Sequence, residues 1–233
     1  MTDVAADRPA PDPSLVSPQL SEELLTLYRN LPPISLGVLA SGSGSNFEAI
    51  MQAIADGRLR ADLKVLVYNN PGAKAAARAE RWGVPAVLVD HRDYETREAF
   101  DGAVVQVLRD RGVDWLAMAG WMRRATDVLV QAFPKRAINI HPSLLPSFPG
   151  IRAVEQALAA QVKVAGCTVH FVELEVDSGP MLMQAVVPVY ATDTAETLHA
   201  RIQVQEHHIF PQAIALAVTQ ASRASAIGSS PAH

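Results

Sequence analysis

Asn139 and His141 stand two residues apart, at the end of a short apolar run (Ala137, Ile138) that reads as a buried strand. Side chains two apart in a strand share a face, so this amide and this imidazole point the same way from the strand's end. Together they can polarise a carbonyl oxygen and move a proton. The plainer alternative is a loop-capping asparagine and a histidine hydrogen-bonded in the core. The stretch runs on through Pro142, Ser143, Leu144, Leu145 and Pro146. Two more residues further along carry similar chemistry: His170, and Asp177 at the head of Asp177-Ser178-Gly179-Pro180. Two histidines and an aspartate can make a metal site, although no short ligand pair such as His-x-x-x-His occurs. The other reading is general acid–base catalysis, with the carboxylate raising the imidazole's affinity for a proton. Asp177 on its own reads equally well as a turn aspartate.

A second chemistry belongs to Gly42-Ser43-Gly44-Ser45-Asn46, between an apolar run and a helical pattern. Backbone N–H groups at a helix N-terminus, together with the helix dipole, bind anions. No Gly-Lys-Ser/Thr follows, so this is not a nucleoside-triphosphate loop. Phe47 stands where a dinucleotide fingerprint needs its third glycine, and Tyr68-Asn69-Asn70 offers no acid for a ribose. A single phosphate suits the loop better than NAD or ATP; a Ser-Asn helix cap on a tight turn is the competing account. Gln203 and Glu206, three apart, share one face of the last expected helix.

The elements that must position these residues follow from hydrophobic pattern. Strands are expected at 34–40, 62–68, 84–89 and 113–119, alternating with helices at 46–56, 73–82 and 93–111. That alternation implies a parallel sheet. After Pro149 the rhythm changes to a helix at 154–160 and two strand-like runs, 167–172 and 181–189, which suggest an antiparallel addition. Asp193 opens a last helix with Glu196 as its capping partner, and Leu198, Ile202 and Ile209 face inward. The expected fold class is α/β: Rossmann-like, with a mostly parallel central sheet, helices on both faces and an antiparallel C-terminal addition. Residues 1–33 read as a largely disordered extension, because six of the 16 prolines fall there and 1–17 have little to bury. Removing 1–17 should therefore leave stability intact. Within the extension, Ser21 to Tyr28 can form a short amphipathic helix before Pro32-Pro33. The folded domain is expected at 34–222 and a disordered tail at 223–233.

The 233 residues suit one domain of moderate size, and 49% of them are hydrophobic, ample for a core. Net charge is −4 with no long basic run, which gives no support to a nucleic-acid partner. No apolar stretch of about 18 residues argues for a membrane span, and Met1 to Pro13 lack the apolar core of a secretory signal. The single Cys167 cannot form an internal disulfide and fits a reducing cytosol, so a cytoplasmic location is expected.

The run from Asn139 to Pro146 resembles the signature of the folate-dependent formyltransferases. Gly166-Cys167-Thr168-Val169-His170-Phe171-Val172 and Asp177-Ser178-Gly179-Pro180 resemble that family's second and third blocks. Ala119-Gly120-Trp121-Met122-Arg123 is similar to the folate-side strand end of one branch, and Ser41 to Asn46 to the same branch's phosphate loop. The blocks keep the family's order and spacing from about Ile34 to about Gln220. This resemblance implies an enzyme that moves a formyl group from 10-formyltetrahydrofolate, as co-substrate and without a metal, to glycinamide ribonucleotide. It implies catalytic roles for Asn139, His141 and Asp177, with His170 supporting them. Gly44, Ser45 and Asn46 then hold the ribonucleotide phosphate, and Gln203 and Glu206 touch the same nucleotide. Met118, Met122 and Val172 line the pterin pocket, and Arg123 and Arg97 meet the folate; plain core packing or a solvated helix face also accounts for these. Leu145–Pro146 matches a bond that is cis in the family.

The chain departs from the pattern in places. Arg124 and Ala125 stand where bulky apolar residues are usual, and Val154 where many members carry a histidine. Three rivals fit less well. A formyltetrahydrofolate hydrolase usually carries a regulatory domain that residues 1–33 are too few to supply. A methionyl-tRNA formyltransferase needs a further domain and a basic surface. A non-catalytic binding protein has no use for Asn139, His141 and Asp177 together. Oligomeric state is not legible.

Overall fold

The computed structural model describes residues 15–228. In chain order these form β1 (Val16–Ser17), α1 (Glu22–Asn30), β2 (Ile34–Ala40), α2 (Ser45–Ala55), β3 (Ala61–Tyr68), α3 (Ala75–Arg81) and β4 (Ala86–Leu88). There follow α4 (Arg97–Asp110), β5 (Trp115–Met118), α5 (Asp127–Ala132), β6 (Ala137–His141), α6 (Ala153–Ala159), β7 (Val164–Phe171), β8 (Met181–Pro188) and α7 (Ala195–Gly228). The strands make one sheet in the order β1-β8-β7-β6-β5-β2-β3-β4. Strands β6, β5, β2, β3 and β4 run parallel, and β7, β8 and β1 add on antiparallel.

Burial on both faces explains why the parallel strands are almost wholly apolar. In β5, Trp115 and Ala117 join the core beneath α1, α2, α3, α6 and α7, whereas Leu116 and Met118 join the core beneath α4 and α5. Strand order reverses between β2 and β5, and in open α/β sheets ligands bind in the crevice at such a switch point. Ser41, just past β2, bridges it: its N–H donates to the Gly120 carbonyl at 3.1 Å and its hydroxyl accepts from the Met122 N–H at 2.8 Å.

Several local expectations are corrected. The long helix starts at Arg97, not Asp93, because Thr96 Oγ1 accepts the Ala99 N–H at 3.0 Å and caps it there. Helix α5 has no counterpart in the sequence reading, being only six residues long and too short for a 3.6-residue period to show. Thr194 and Thr197, not Asp193 and Glu196, form the reciprocal cap of α7: each hydroxyl accepts the other's backbone N–H, at 3.2 and 2.9 Å. Asp193 is instead drawn into two 2.8 Å bonds with the Arg201 guanidinium. The tail expected to fray from residue 223 continues as helix to Gly228, and Arg223 meets Glu23 of α1 at 3.2 Å.

The start of the chain differs most. The helix expected around Ser21 to Tyr28 is present, with Ser21 as its N-cap, but it packs: Tyr28 is buried and donates no freedom to a tail. Its hydroxyl accepts the Arg60 N–H at 2.6 Å. Before it, Val16 pairs with Ala185 and Ser17 with Gln184 on β8, and the Val16 side chain is 7% exposed. The expectation for 1–14 lies outside the described residues, but the folded chain begins well before Ile34. Removing residues 1–17 should therefore lower the melting temperature. Burying a valine contributes about 1.5–3 kcal/mol, so a fall of roughly 3–12 °C is expected by circular dichroism. An unchanged Tm would restore the reading from sequence.

Candidate active site

The loop after β2 is shaped by Gly44, whose φ is +71° and whose Cβ, were there one, would lie 2.8 Å from the Ala75 Cα. Only glycine fits both demands. Arg78 of α3 fixes the loop from outside: its Nε donates to the Ser43 carbonyl at 2.8 Å and its Nη1 to Glu48 at 2.7 Å. Burial pushes the Glu48 carboxyl up, but the bonds from Arg78 and Trp82 outweigh it and leave that carboxyl below its ordinary value. Helix α7 closes the other side. Gln203 Nε2 donates to Ser45 Oγ at 3.0 Å, and Asn46 Nδ2 to Glu206 Oε2 at 2.9 Å. Burial pushes the Glu206 carboxyl up against the Asn46 bond and the charge of His199. The buried Asn46 Oδ1 has no partner among the described residues.

Strand register assembles the second cluster. Across β6 and β7, Asn139 stands opposite His170 and His141 opposite Thr168. Asn139 Nδ2 lies 3.1 Å from His170 Nε2, while His170 Nδ1 faces the Phe171 carbonyl at 2.8 Å. With Nδ1 on that carbonyl, Nε2 is the nitrogen turned towards the Asn139 amide. The loop between β7 and β8 then brings Asp177 over both histidines: Oδ2 is 3.3 Å from His141 Nδ1, and Oδ1 is 3.6 Å from His170 Nε2. The Gly150 N–H also donates to Asp177 Oδ2, at 2.7 Å. Burial pushes the Asp177 carboxyl up, but His170, the Gly150 N–H and His141 together hold it below its ordinary value. The second ring nitrogen of His141 faces the Phe148 carbonyl at 2.9 Å. The two ring nitrogens of His141 thus face a carboxylate on one side and a carbonyl on the other.

The chain after His141 is held by residues that sequence reasoning missed. Buried Thr168 donates to the Ser143 carbonyl at 2.7 Å and accepts the Leu145 N–H at 3.0 Å. Gln184 of β8 donates to both Thr168 Oγ1 and the Leu145 carbonyl at 2.9 Å. The signal was available, since Thr168 lies two residues before His170 on the same face of a strand. The Leu145–Pro146 peptide is cis, as the resemblance implies.

Thirteen of the fourteen expected site residues open into one cavity of about 860 Å³. Gly44, Ser45, Asn46, Gln203 and Glu206 line it, as do Asn139, His141, His170, Asp177, Met118, Met122, Arg123 and Val172. Met118 is buried in the core as well, while Met122 is 75% exposed at the rim. Trp121 stacks on Phe100 with centroids 5.8 Å apart, and the Arg123 guanidinium lies 5.9 Å from the Phe100 centroid. Arg97 is the exception. It lines a smaller cavity of about 310 Å³ that shares Arg124, Ala125 and Leu174 with the first. Arg124, Ala125 and Val154, the departures from the family pattern, all line the main cavity. Although two histidines and Asp177 converge, no group among the described residues is arranged to hold a metal ion. Nor is any described helix long and apolar enough to cross a membrane.

Comparison with known proteins gives the family. Residues 35–214 match the formyl transferase family model. The chain is 45% identical over 177 residues to phosphoribosylglycinamide formyltransferase of Bacillus subtilis strain 168, covering 76% of this chain and 91% of that one. It is 41% identical over 188 residues to the trifunctional purine biosynthetic protein adenosine-3 of Gallus gallus, covering 81% of this chain but 19% of that much longer protein. Among solved structures, glycinamide ribonucleotide transformylase 1 from Symbiobacterium toebii superposes with a TM-score of 0.79 at 46% identity, over 81% of this chain and 89% of that one. With the Gly-Ser loop, the Asn139–His141–Asp177 cluster and this likeness over most of its length, the chain belongs to the formyl transferase family, among the phosphoribosylglycinamide formyltransferases.

Proposed function

We propose that this enzyme transfers the formyl group of 10-formyltetrahydrofolate to the amine of glycinamide ribonucleotide, giving formylglycinamide ribonucleotide and tetrahydrofolate in purine biosynthesis, in the cytoplasm. The carrying observation is that one cavity is lined by a glycine–serine loop at the start of a helix, an apolar and arginine-bearing wall, and a histidine–aspartate pair. An anionic nucleotide suits the loop, where N–H groups at the start of α2 meet its phosphate. The unpartnered Asn46 Oδ1 is an acceptor for a hydroxyl of the same ligand. The pterin suits Met118, Met122 and Val172, and Arg123 and, less directly, Arg97 suit the donor's carboxylates.

In this reading the ribonucleotide amine attacks the formyl carbon, and the carbonyl oxygen becomes negative as the carbon turns tetrahedral. Asn139 donates to that oxygen, and the His141 cation stabilises it. Asp177 keeps His141 charged and, through a water, carries the proton from the attacking amine to the leaving nitrogen. No covalent enzyme intermediate is needed.

Three outcomes test the assignment. Incubated with 10-formyltetrahydrofolate and followed by folate absorbance, the protein should deformylate it only when glycinamide ribonucleotide is present; equal turnover without the acceptor would make it a hydrolase. Asn46→Ala should raise KM for the ribonucleotide far more than KM for the folate, because it removes a binding contact remote from the reacting atoms. An unchanged nucleotide KM would reduce the loop to a helix cap. Asp177→Asn keeps the shape and removes the charge, so turnover should fall roughly 10²- to 10⁴-fold. Asp177→Asn with His141→Asn should be little worse than the more damaging single change, since the two act as a unit; multiplicative losses would refute the pairing. Because the Asp177 carboxyl titrates below its unfolded value, its ionised form stabilises the fold above that unfolded value. The stabilisation is lost as pH falls through the depressed one, so Asp177→Asn should also flatten the acid side of a Tm–pH profile.

A further inference from the structure

The side chains around the anion loop are already committed within the protein. Asn46 gives one N–H to Glu206, Gln203 gives one to Ser45, and Arg78, the cation among them, is held by the Ser43 carbonyl and Glu48. A phosphate monoester near neutral pH carries close to two negative charges, and backbone N–H groups with a helix dipole supply only about half a unit of positive charge. One further side chain lines this part of the cavity. His199 precedes Gln203 by four residues, so the two share a face of α7 about 6 Å apart along its axis. It makes no hydrogen bond or ion pair among the described residues, and its charge reaches Glu206 seven residues on.

We propose that His199 binds the phosphate of the acceptor, supplying as an imidazolium the cation that the loop lacks. The proposal rests on the reading that the loop takes the phosphate of a ribonucleotide. The charged groups that share this part of the cavity are Glu196 and Glu206 on α7, and Arg152 and Glu155 across from it, themselves ion-paired at 3.6 Å; Arg78 stands behind the loop on α3. None of the exposed ones changes charge near neutral pH, whereas a histidine does. The charge that His199 brings to the loop is therefore one that pH can remove, whereas a lysine at the same place would keep its charge.

The test uses the full chain and three variants. His199→Ala should raise KM for glycinamide ribonucleotide roughly tenfold to a hundredfold, the effect of losing one charge-assisted hydrogen bond. KM for the folate should not follow it. His199→Lys should restore the low KM and hold it at higher pH, where the wild type weakens; pH dependence that persists in the lysine variant belongs to the phosphate and to Glu206, whose carboxyl burial pushes up. His199→Gln should fall between the two. Equal KM in wild type and His199→Ala, or a rise in both KM values with a lower Tm, overturns the proposal. Inorganic phosphate titrated against the histidine ring proton signals separates this site from the reaction. A shift lost in His199→Ala supports the site even if no formyl transfer is seen, which would sink the reaction alone. Normal transfer with no His199-dependent shift sinks the site alone.

Discussion

The 3.3 Å contact between His141 and Asp177 sets the terms for the chain around it. One partner ends a strand of the parallel sheet, and the other sits on a loop 36 residues later, so several backbone features exist to bring them together. Asp177 adopts a φ of +53°, and Phe148, whose carbonyl meets the other His141 nitrogen, one of +56°. Left-handed conformations at residues other than glycine cost of order 1–3 kcal/mol each and collect at functional sites. Asp177 is among the residue types that tolerate this conformation best; Phe148 is not. Gly179 completes the turn, because a Cβ there would come within 2.0 Å of the Phe171 carbonyl oxygen. The Gly150 N–H then locks the carboxylate from the opposite side. Packing that over-determines three separate segments is what holds such a strained pair in one geometry.

Two buried carboxyls in the same cavity are driven in opposite directions, and the contrast separates their tasks. Burial raises both. Asp177 has two histidines and a backbone N–H to offset that penalty, and its carboxyl is held below its ordinary value. Glu206 has an amide and a more distant histidine, which do not offset it. A carboxyl biased towards its neutral form repels a phosphate less than a full carboxylate would at the same place. Environments that push two acids apart in this way are how one site holds groups with different roles.

The strands were legible because parallel strands buried on both faces are nearly continuous apolar runs, and Ile34–Ala40 was read to the residue. The pair of histidines and the aspartate were legible as chemistry, but strand spacing alone could not say that a loop would fold Asp177 onto His141. The resemblance supplied that join. What escaped was local and short. Helix α5 is below one hydrophobic period in length, and the cap of α7 slipped by one residue because Asp193 had a stronger partner in Arg201. Val16 escaped for another reason: a two-residue strand among prolines has no pattern of its own, and only the open edge of β8 gives it a place.

That edge strand is connected to the chemistry through hydrogen bonds. Ser17 of β1 pairs with Gln184, whose side-chain amide reaches Thr168 and the Leu145 carbonyl. Thr168 in turn holds Ser143 and Leu145, which fix the chain as it leaves His141. An unpaired edge presents free N–H and C=O groups and is prone to pair with other chains. With β1 in place, β8 is an inner strand and Gln184 is held from both sides. The segment that composition marked as dispensable therefore backs the layer on which the orientation of His141 depends.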